Sequence, residues 1–340
     1  MQFGLMLRGQ FPLGDDMRLR LQEMMEQVRT AQALGYDSIT KGQHFSGHPF
    51  QGPQQLPFLA MVAAAAPGLR LNAGIILLSL HKPLDLAETL ATIDVASGGK
   101  LIFGIGLGYR EVEFRAFGTT QSERVPRMVE NLEAIKRLWA EEKVTMKGSH
   151  FELIEASCPI KPLQKPHPPV WVGANSDPGI RRAAEIGDCW YINPHNRMDT
   201  IERQLDIYRK ELDRLGKPFP KELPMRREAF VARTREEAMR LCRPYLETKY
   251  KSYHEWGQGR AMPKEDNKLD QEFNALLEER FIIGSPDEVA EQIVRLNRLL
   301  GVNHLIMSIQ WPGMPQGLAL DTMHLFAGEV FPKVRRAVKA

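Results

Sequence analysis

The chain has little cysteine, no strong charge of either sign and no long apolar run, and each shortage removes a class of protein. Its three cysteines, Cys158, Cys189 and Cys242, are scattered through 340 residues. An odd, dispersed set builds neither a disulfide framework nor a zinc site, so they read as buried or incidental thiols. The 45 basic and 42 acidic side chains leave a net charge of only +3. An excess that small and dispersed makes no dedicated nucleic-acid face. The basic ending Lys333, Arg335, Arg336 and Lys339 is expected on a solvated helix face, where cations near the C-terminus suit the helix dipole. No apolar stretch approaches the ~20 residues that cross a bilayer. The opening MQFGLMLRGQ is not a charged-then-apolar leader; it reads as a strand, and a cytoplasmic location without membrane contact is expected.

What is present is alternation. The 43% apolar share falls into short apolar strands, each followed by an amphipathic helix. QFGLMLRG is a first strand, and Leu21, Met24, Met25, Val28, Ala31 and Ala33 form the apolar stripe of the helix after it, which Gly35 stops. YDSITKGQ, LRLNAGIILL, KLIFGIGLG, VWVGAN, DCWYIN, MRREAFVA and VNHLIMSIQW supply seven more strands. Ser122 is a candidate cap for the fourth helix, and a hairpin with a proline-rich approach is expected over residues 143–169. Eight strand–helix units predict a (β/α)8 TIM barrel of the α/β class. The whole chain, 1–340, is expected to form one such domain with insertions after strands 4 and 7. The weakly patterned segment within 250–282 is the candidate lid.

The stretch KLIFGIGLGYREVEFRAFG places Gly104, Gly106 and Gly108 at alternate positions behind an apolar run. A dinucleotide cradle needs a third glycine where Tyr109 stands, and a helix that starts at once. Here YREVEFRAFGTTQ intervenes. Bare alternate positions on a strand instead let a flat group or another backbone approach.

FGIGLGYREVEFRAFG resembles the fourth strand and following loop of the bacterial-luciferase-like flavin monooxygenases. GYDSITKGQHF, LNAGIILLSLHKPLDLAE, SERVPRMVENLEAIKRLW, PPVWVGANSDPGIRRAAEIGD and FIIGSPDEVAEQI are similar to further pieces of that family, in the same order. The resemblance implies an eight-stranded barrel with a flavin at its C-terminal mouth. It implies reduced FMN as co-substrate, O2, a small organic substrate and a separate NAD(P)H-flavin reductase. A flavin hydroperoxide in a water-poor cavity would deliver the oxygen. Two alternatives share the motifs: a deazaflavin-dependent hydride-transfer oxidoreductase, and a non-catalytic flavin-binding paralogue. The family also pairs through the small-residue helix FLAMVAAAAPG, so a homodimer is expected; packing of that helix on its own barrel is the alternative.

The resemblance also distributes roles. His44, just past strand two, is the expected catalytic residue. His48 follows four residues later, but Gly47 and Pro49 spoil helical spacing, so no metal is expected. The flavin ring is expected on a bulge in strand three at Ile75 and Ile76, with a cis or distorted non-proline peptide between Gly74 and Leu78. Gly106 would lie close to it, and Tyr109 would cover its edge or touch substrate. Gly173, Ala174, Asn175 and Ser176 would hold the phosphate after strand five, where generic barrels place it after strands seven and eight. Arg124 would add positive charge. At Leu107 the pattern departs, because the luciferase catalytic subunit carries an arginine at the comparable place. Phe50, Trp190, Trp256 and Trp311 are expected to line an apolar substrate pocket, with core packing as the alternative for each.

Overall fold

A computed structural model describes residues 1–264, 266–269, 273–277 and 280–339. Eight parallel strands run β1 (Gln2–Leu7), β2 (Ser38–Lys41), β3 (Arg70–Ala73), β4 (Leu101–Gly106), β5 (Val170–Ala174), β6 (Cys189–Ile192), β7 (Pro224–Val231) and β8 (His304–Ser308). Each pairs with its neighbours in chain order, and β8 returns to β1 in the register Gln2↔His304 to Met6↔Ser308. The sheet is therefore closed, as the alternation predicted. A short additional strand, Phe281–Gly284, pairs with Glu228–Val231 of β7.

The helices that cover the barrel are α1 (Met17–Ala33), α2 (Gln55–Ala65), α3 (Pro83–Ala96), α4 (Arg124–Ala140), α5 (Asp177–Ile186), α6 (Met198–Arg214), α7 (Arg235–Glu255), α8 (Pro286–Leu300) and α9 (Gln316–Leu325). Their starts follow local chemistry. Asp16 accepts the N–H groups of Arg18 and Leu19 at the head of α1. Ser285 and Glu288 cap α8, and Gly301 at φ 79° ends it in the left-handed conformation. Ser122 does not cap α4. A single turn, Gln121–Glu123, precedes that helix, and the Glu123 carboxylate takes the Thr119 hydroxyl and the Thr120 N–H. The expected hairpin forms between Val144–Lys147 and Glu152–Ala156.

Strand alternation divides the side chains between two layers. Phe3, Leu5, Leu7, Phe103, Ile105, Trp190 and Ile192 pack outward against helices. Ile102, Trp171, Cys189, Tyr191 and Ile306 fill the barrel interior. At the N-terminal end of the barrel His304 bridges Ser38 (Nε2 to Oγ, 2.8 Å) and Glu222 (Nδ1 to Oε1, 2.8 Å), and Arg70 donates to Glu222 at 2.5 and 3.1 Å. Ser38 and His304 are fully buried, so this hydroxyl–imidazole–carboxylate line ties strands together and reaches solvent only at its Glu222 end.

The expected lid, 250–282, includes residues 265, 270–272 and 278–279, which lie outside the described residues. The rest is less polar than its composition suggests. Met262, Leu269, Phe273 and Leu276 are buried with Cys242, Leu246 and Tyr250 of α7 in a second apolar cluster. The basic C-terminal segment is also not simply solvated. Lys333 pairs with Asp287 at 2.6 Å, and the Arg335 guanidinium lies 5.4 Å from the Phe3 ring and 5.7 Å from the Phe331 ring. All three cysteines are buried and free.

Candidate active site

The C-terminal ends of the strands surround a cavity of about 290 Å³. Its apolar wall begins on β3. Between Asn72↔Ile102 and Ile76↔Ile105, four steps on the third strand oppose three on β4. The extra residue makes a bulge, and within it the Gly74–Ile75 peptide is cis, as the family resemblance implied. The bulge turns Ile75 into the cavity. The glycines of β4 make room for it. A Cβ on Gly104 would stand 2.5 Å from the Ala73 carbonyl oxygen and 3.2 Å from Gly74 Cα, and one on Gly106 would overlap Ile75 Cδ1.

A cationic pole lies beside the end of β5. Gly173, Ala174, Asn175 and Ser176 line the cavity and lead into α5. Ser176 makes no side-chain capping bond, so the first turn of α5 presents backbone donors toward the space. Gly179 permits a tight start, since a Cβ there would sit 3.2 Å from both Ala174 Cβ and Ser176 Oγ. Arg124 and Arg182 line the same region. Burial pulls the Arg182 guanidinium down, Glu185 opposes this, and the like charge of Arg124 adds to it. Asp177, at the head of α5, is tied to Arg203 at 2.7 Å.

On the opposite wall stands His44. Its Nδ1 lies 3.5 Å from Oε1 of Glu113, a buried carboxylate that also accepts the Phe45 N–H at 2.9 Å. Trp256 (5.3 Å between ring centroids), Tyr109 and Tyr253 (both 6.2 Å) surround the imidazole. Arg110 donates to the carbonyls of Phe45 and Ser46 and lies 4.3 Å from the Trp256 ring. The loop carrying His44 is thus fastened to the loop after β4. Burial pushes the Tyr109 phenol well up, with Tyr253 and Glu113 adding to it, so it is a neutral donor whose oxygen has no protein partner. The third wall comes from β7, β8 and α7, where Arg226, Lys249, Tyr253, Ser308 and Trp311 reach the cavity.

Residues 1–304 match the family described as luciferase-like monooxygenase. The chain belongs to that family. It is 30% identical over 243 residues to the FMNH(2)-dependent dimethylsulfone monooxygenase of Pseudomonas putida, covering 66% of this chain and 65% of that protein. It is 24% identical to the F420-dependent glucose-6-phosphate dehydrogenase of Amycolatopsis mediterranei, over 92% of this chain and 95% of that one. Monooxygenase RslO1 from Streptomyces bottropensis has a similar structure, with a TM-score of 0.81 and 27% identity over 98% of this chain and 99% of that chain. Luciferase-like relatives thus include users of FMN and users of the deazaflavin F420.

For this luciferase-like barrel, the structure brings His44, Ile75, Tyr109, Arg124, the 173–176 loop and Trp311 to one cavity. Five expected positions fall elsewhere. Ile76 points outward into the main core, because side chains alternate along the strand and Ile75 already faces in. Trp190 is outward for the same reason, and its Nε1 donates to the Ala174 carbonyl at 3.0 Å, bracing the end of β5 from behind. Gly106 seats Ile75 rather than facing the open space. Phe50 sits on a small antiparallel pair with Phe11–Pro12 and reaches only Trp256, 5.9 Å away, and Trp256 itself backs His44 without lining the cavity. Arg182, Arg226 and Lys249 were missed. The available signals were arginines repeating on the first turns of α5, and charged Arg226 and Glu228 alternating inside an otherwise apolar strand. Leu107 lines the cavity with apolar surface, and Arg182 brings a guanidinium to it from α5.

Proposed function

We propose that this protein is the oxygenating component of a reduced-FMN-dependent monooxygenase acting on a small organic substrate. The observation that carries the reading is the pairing of two features in one cavity. Arg124, Arg182 and the open first turn of α5 form an anion pole, and a bulge presents the flat Ile75 surface beside it. The remaining unpartnered atoms suit a polar ring system. Gln10 Nε2, Tyr109 Oη and Asn193 Nδ2 are buried without hydrogen-bond partners, on residues that line the space. Each such atom is costly unless a ligand satisfies it.

The phosphate would rest on the 173–176 loop and the two arginines, and the ring on Ile75. Reduced FMN, when bound, supplies the electrons and the oxygen-activating chemistry. The chain's residues orient, shield and move protons. Ile75, Leu77, Leu107 and Trp311 exclude water from the reacting edge. His44 exchanges a proton at Nε2, while the Glu113 carboxylate 3.5 Å from Nδ1 favours the imidazole with that nitrogen turned toward it. Tyr109, held neutral, donates without becoming charged. A separate NAD(P)H-dependent reductase would provide the reduced flavin. A homodimer through the outward face of α2 and α3, where Met61 and Val95 are exposed, belongs to the same proposal.

One feature favours a second reading, hydride transfer with a deazaflavin. An imidazole beside a buried carboxylate, as in His44 and Glu113, is also what a carbinol needs in order to lose its proton as hydride departs. The two readings part on oxygen. Stopped-flow mixing of protein-bound reduced FMN with oxygen is expected to give a reoxidation rate well separated from that of free flavin. A rate equal to the buffer control contradicts the monooxygenase reading.

A further inference from the structure

Five cations line the cavity: Arg8, Arg124, Arg182, Arg226 and Lys249. Among the described residues lining it there is no aspartate or glutamate. Arg124 and Arg182 belong to the pole beside β5. Arg8 is committed to the chain itself, donating to the carbonyls of Trp311 and Met314. Arg226 and Lys249 form a separate pole on β7 and α7.

That second pole is not neutral. Arg226 donates through Nε to the Ser308 hydroxyl at 2.9 Å, and its Nη2 lies 3.9 Å from Oε1 of Glu228. Lys249 donates to the same Oε1 of Glu228. The other carboxylate oxygen of Glu228 takes the Trp311 indole N–H at 2.6 Å. One carboxylate, itself fully buried, therefore serves two cations and an indole. His195 adds no compensating charge, since burial and the surrounding cations hold its imidazole neutral. Lys249 is 4% exposed and Arg226 18%. An excess positive charge taken from water is costly unless an anion meets it. Both cations line the cavity, from which an anion can meet them. Ser308 sets the Arg226 guanidinium, and a guanidinium fork with an adjacent ammonium matches the oxygens of a carboxylate or sulfonate. The surface between the poles is apolar, with Met6, Ile75, Leu107 and Trp311.

We infer that Arg226, Lys249 and Ser308 form a second anion subsite, and that the substrate is an organic anion, a carboxylate or sulfonate on an apolar stem, held with its tail toward the flavin. The inference rests on the flavin reading only for what happens to the tail; the anion site stands on the cavity's charge. Its chemistry differs from that of the first pole, because FMN brings a single phosphate and the β5 pole already provides for it.

The test compares hexanoate, hexane-1-sulfonate and hexan-1-ol as probes of the purified full chain, at fixed ionic strength and with FMN present or absent. Binding is followed by calorimetry and by intrinsic tryptophan fluorescence. FMN binding is followed separately by quenching of flavin emission. At least one anion is expected to bind tenfold or more tighter than the alcohol. Arg226→Gln and Lys249→Met should each remove most of that preference, Arg226→Lys should restore part of it, and FMN affinity should stay within about threefold in all three. Arg182→Gln should do the reverse. Circular dichroism checks the fold of each variant, and the comparison on the unaltered protein needs no variant. Equal binding of alcohol and both anions overturns the inference. So does an Arg226→Gln variant that loses FMN as strongly as it loses hexanoate, since the pole would then serve the cofactor. Anion selectivity without FMN binding would leave the subsite standing and remove the flavin reading instead.

Discussion

Gly104 and Gly106 stand two residues apart on the same face of β4, and adding one methyl group to each separates their roles. At Gly104 the new Cβ meets the Ala73 carbonyl oxygen at 2.5 Å, Asn72 Oδ1 at 2.9 Å and Gly74 Cα at 3.2 Å. Two of these three atoms are backbone of the bulge and cannot rotate away. Overpacking of this kind costs about 1–3 kcal/mol, and backbone obstruction places Gly104→Ala at about 3 kcal/mol. At Gly106 the obstruction is the far end of Ile75, with the Gly173 carbonyl oxygen no nearer than 3.7 Å. A side-chain rotation relieves it for about 1 kcal/mol, but the displaced Ile75 moves into the proposed ring site. Gly106→Ala should therefore keep most of its stability and weaken FMN binding about tenfold, roughly 1.4 kcal/mol. Urea unfolding measures the first quantity and flavin-fluorescence titration the second. Equal losses of stability in the two variants, or unchanged FMN affinity in Gly106→Ala, would refute the assignment of these glycines to the bulge.

Three further outcomes are expected. His44→Ala should lower flavin-dependent turnover about 100-fold or more, and Glu113→Gln at least about tenfold, in kcat and with little change in FMN affinity; steady-state kinetics beside a binding titration would show whether either acts on binding instead. Burial alone would raise the Glu222 carboxyl, but hydrogen bonds from His304 and Arg70 and the Arg70 charge outweigh it and hold it at about 2. Its folded value lies below its unfolded one, so it stabilises the fold at neutral pH by up to about 3 kcal/mol, lost as the pH falls from about 4.5 toward 2. Glu222→Gln should flatten that acid limb of a urea-midpoint profile, and an unchanged limb would place the acid sensitivity elsewhere. Lys249 is faced by Glu228 and Arg226 from β7, His195 after β6 and Tyr253 on its own helix; burial draws its ammonium down to about 8, against the pull of Glu228. Hexanoate affinity should thus fall as the pH rises through about 8, and a flat profile to pH 9 would remove Lys249 from the subsite.

Much of this site was readable before any coordinates. The strand–helix alternation gave the barrel, because period-two strands and period-3.6 helices differ in the spacing of their apolar residues. Tyr109 in place of a third glycine argued against a dinucleotide cradle; the expected delay of the helix to Ser122 does not hold, because a short helix, Glu111–Ala116, begins two residues after Tyr109, and the structure explains the bare glycines by the neighbouring bulge. The 173–176 loop was legible because a strand end, glycine and helix start lie together in sequence. Ile76 and Trp190 were misplaced by one residue, which on a strand reverses the face. Arg182 looked like the solvated side of an amphipathic helix. Lys249 lies in TKYKSYHEW, where neighbouring charges and aromatics show no clear inner face until α7 is docked. Glu113 lies on the short helix Glu111–Ala116 in the connection after β4, and only the packing of that connection against the His44 loop buries it. What the sequence hid was long-range: Glu228, Lys249 and Trp311 come from β7, α7 and the segment after β8.

The central claim is that one cavity holds reduced FMN through Arg124, Arg182 and the start of α5. An anaerobic equilibrium titration of the full chain with reduced FMN, and in parallel with the reduced deazaflavin F420, tests it most directly. Reduced FMN should bind with a dissociation constant in the micromolar range, about −8 kcal/mol, more tightly than the deazaflavin, and Arg124→Gln with Arg182→Gln should weaken it at least tenfold. Tighter binding of the deazaflavin, or reduced-FMN binding indifferent to both arginines, would contradict the account.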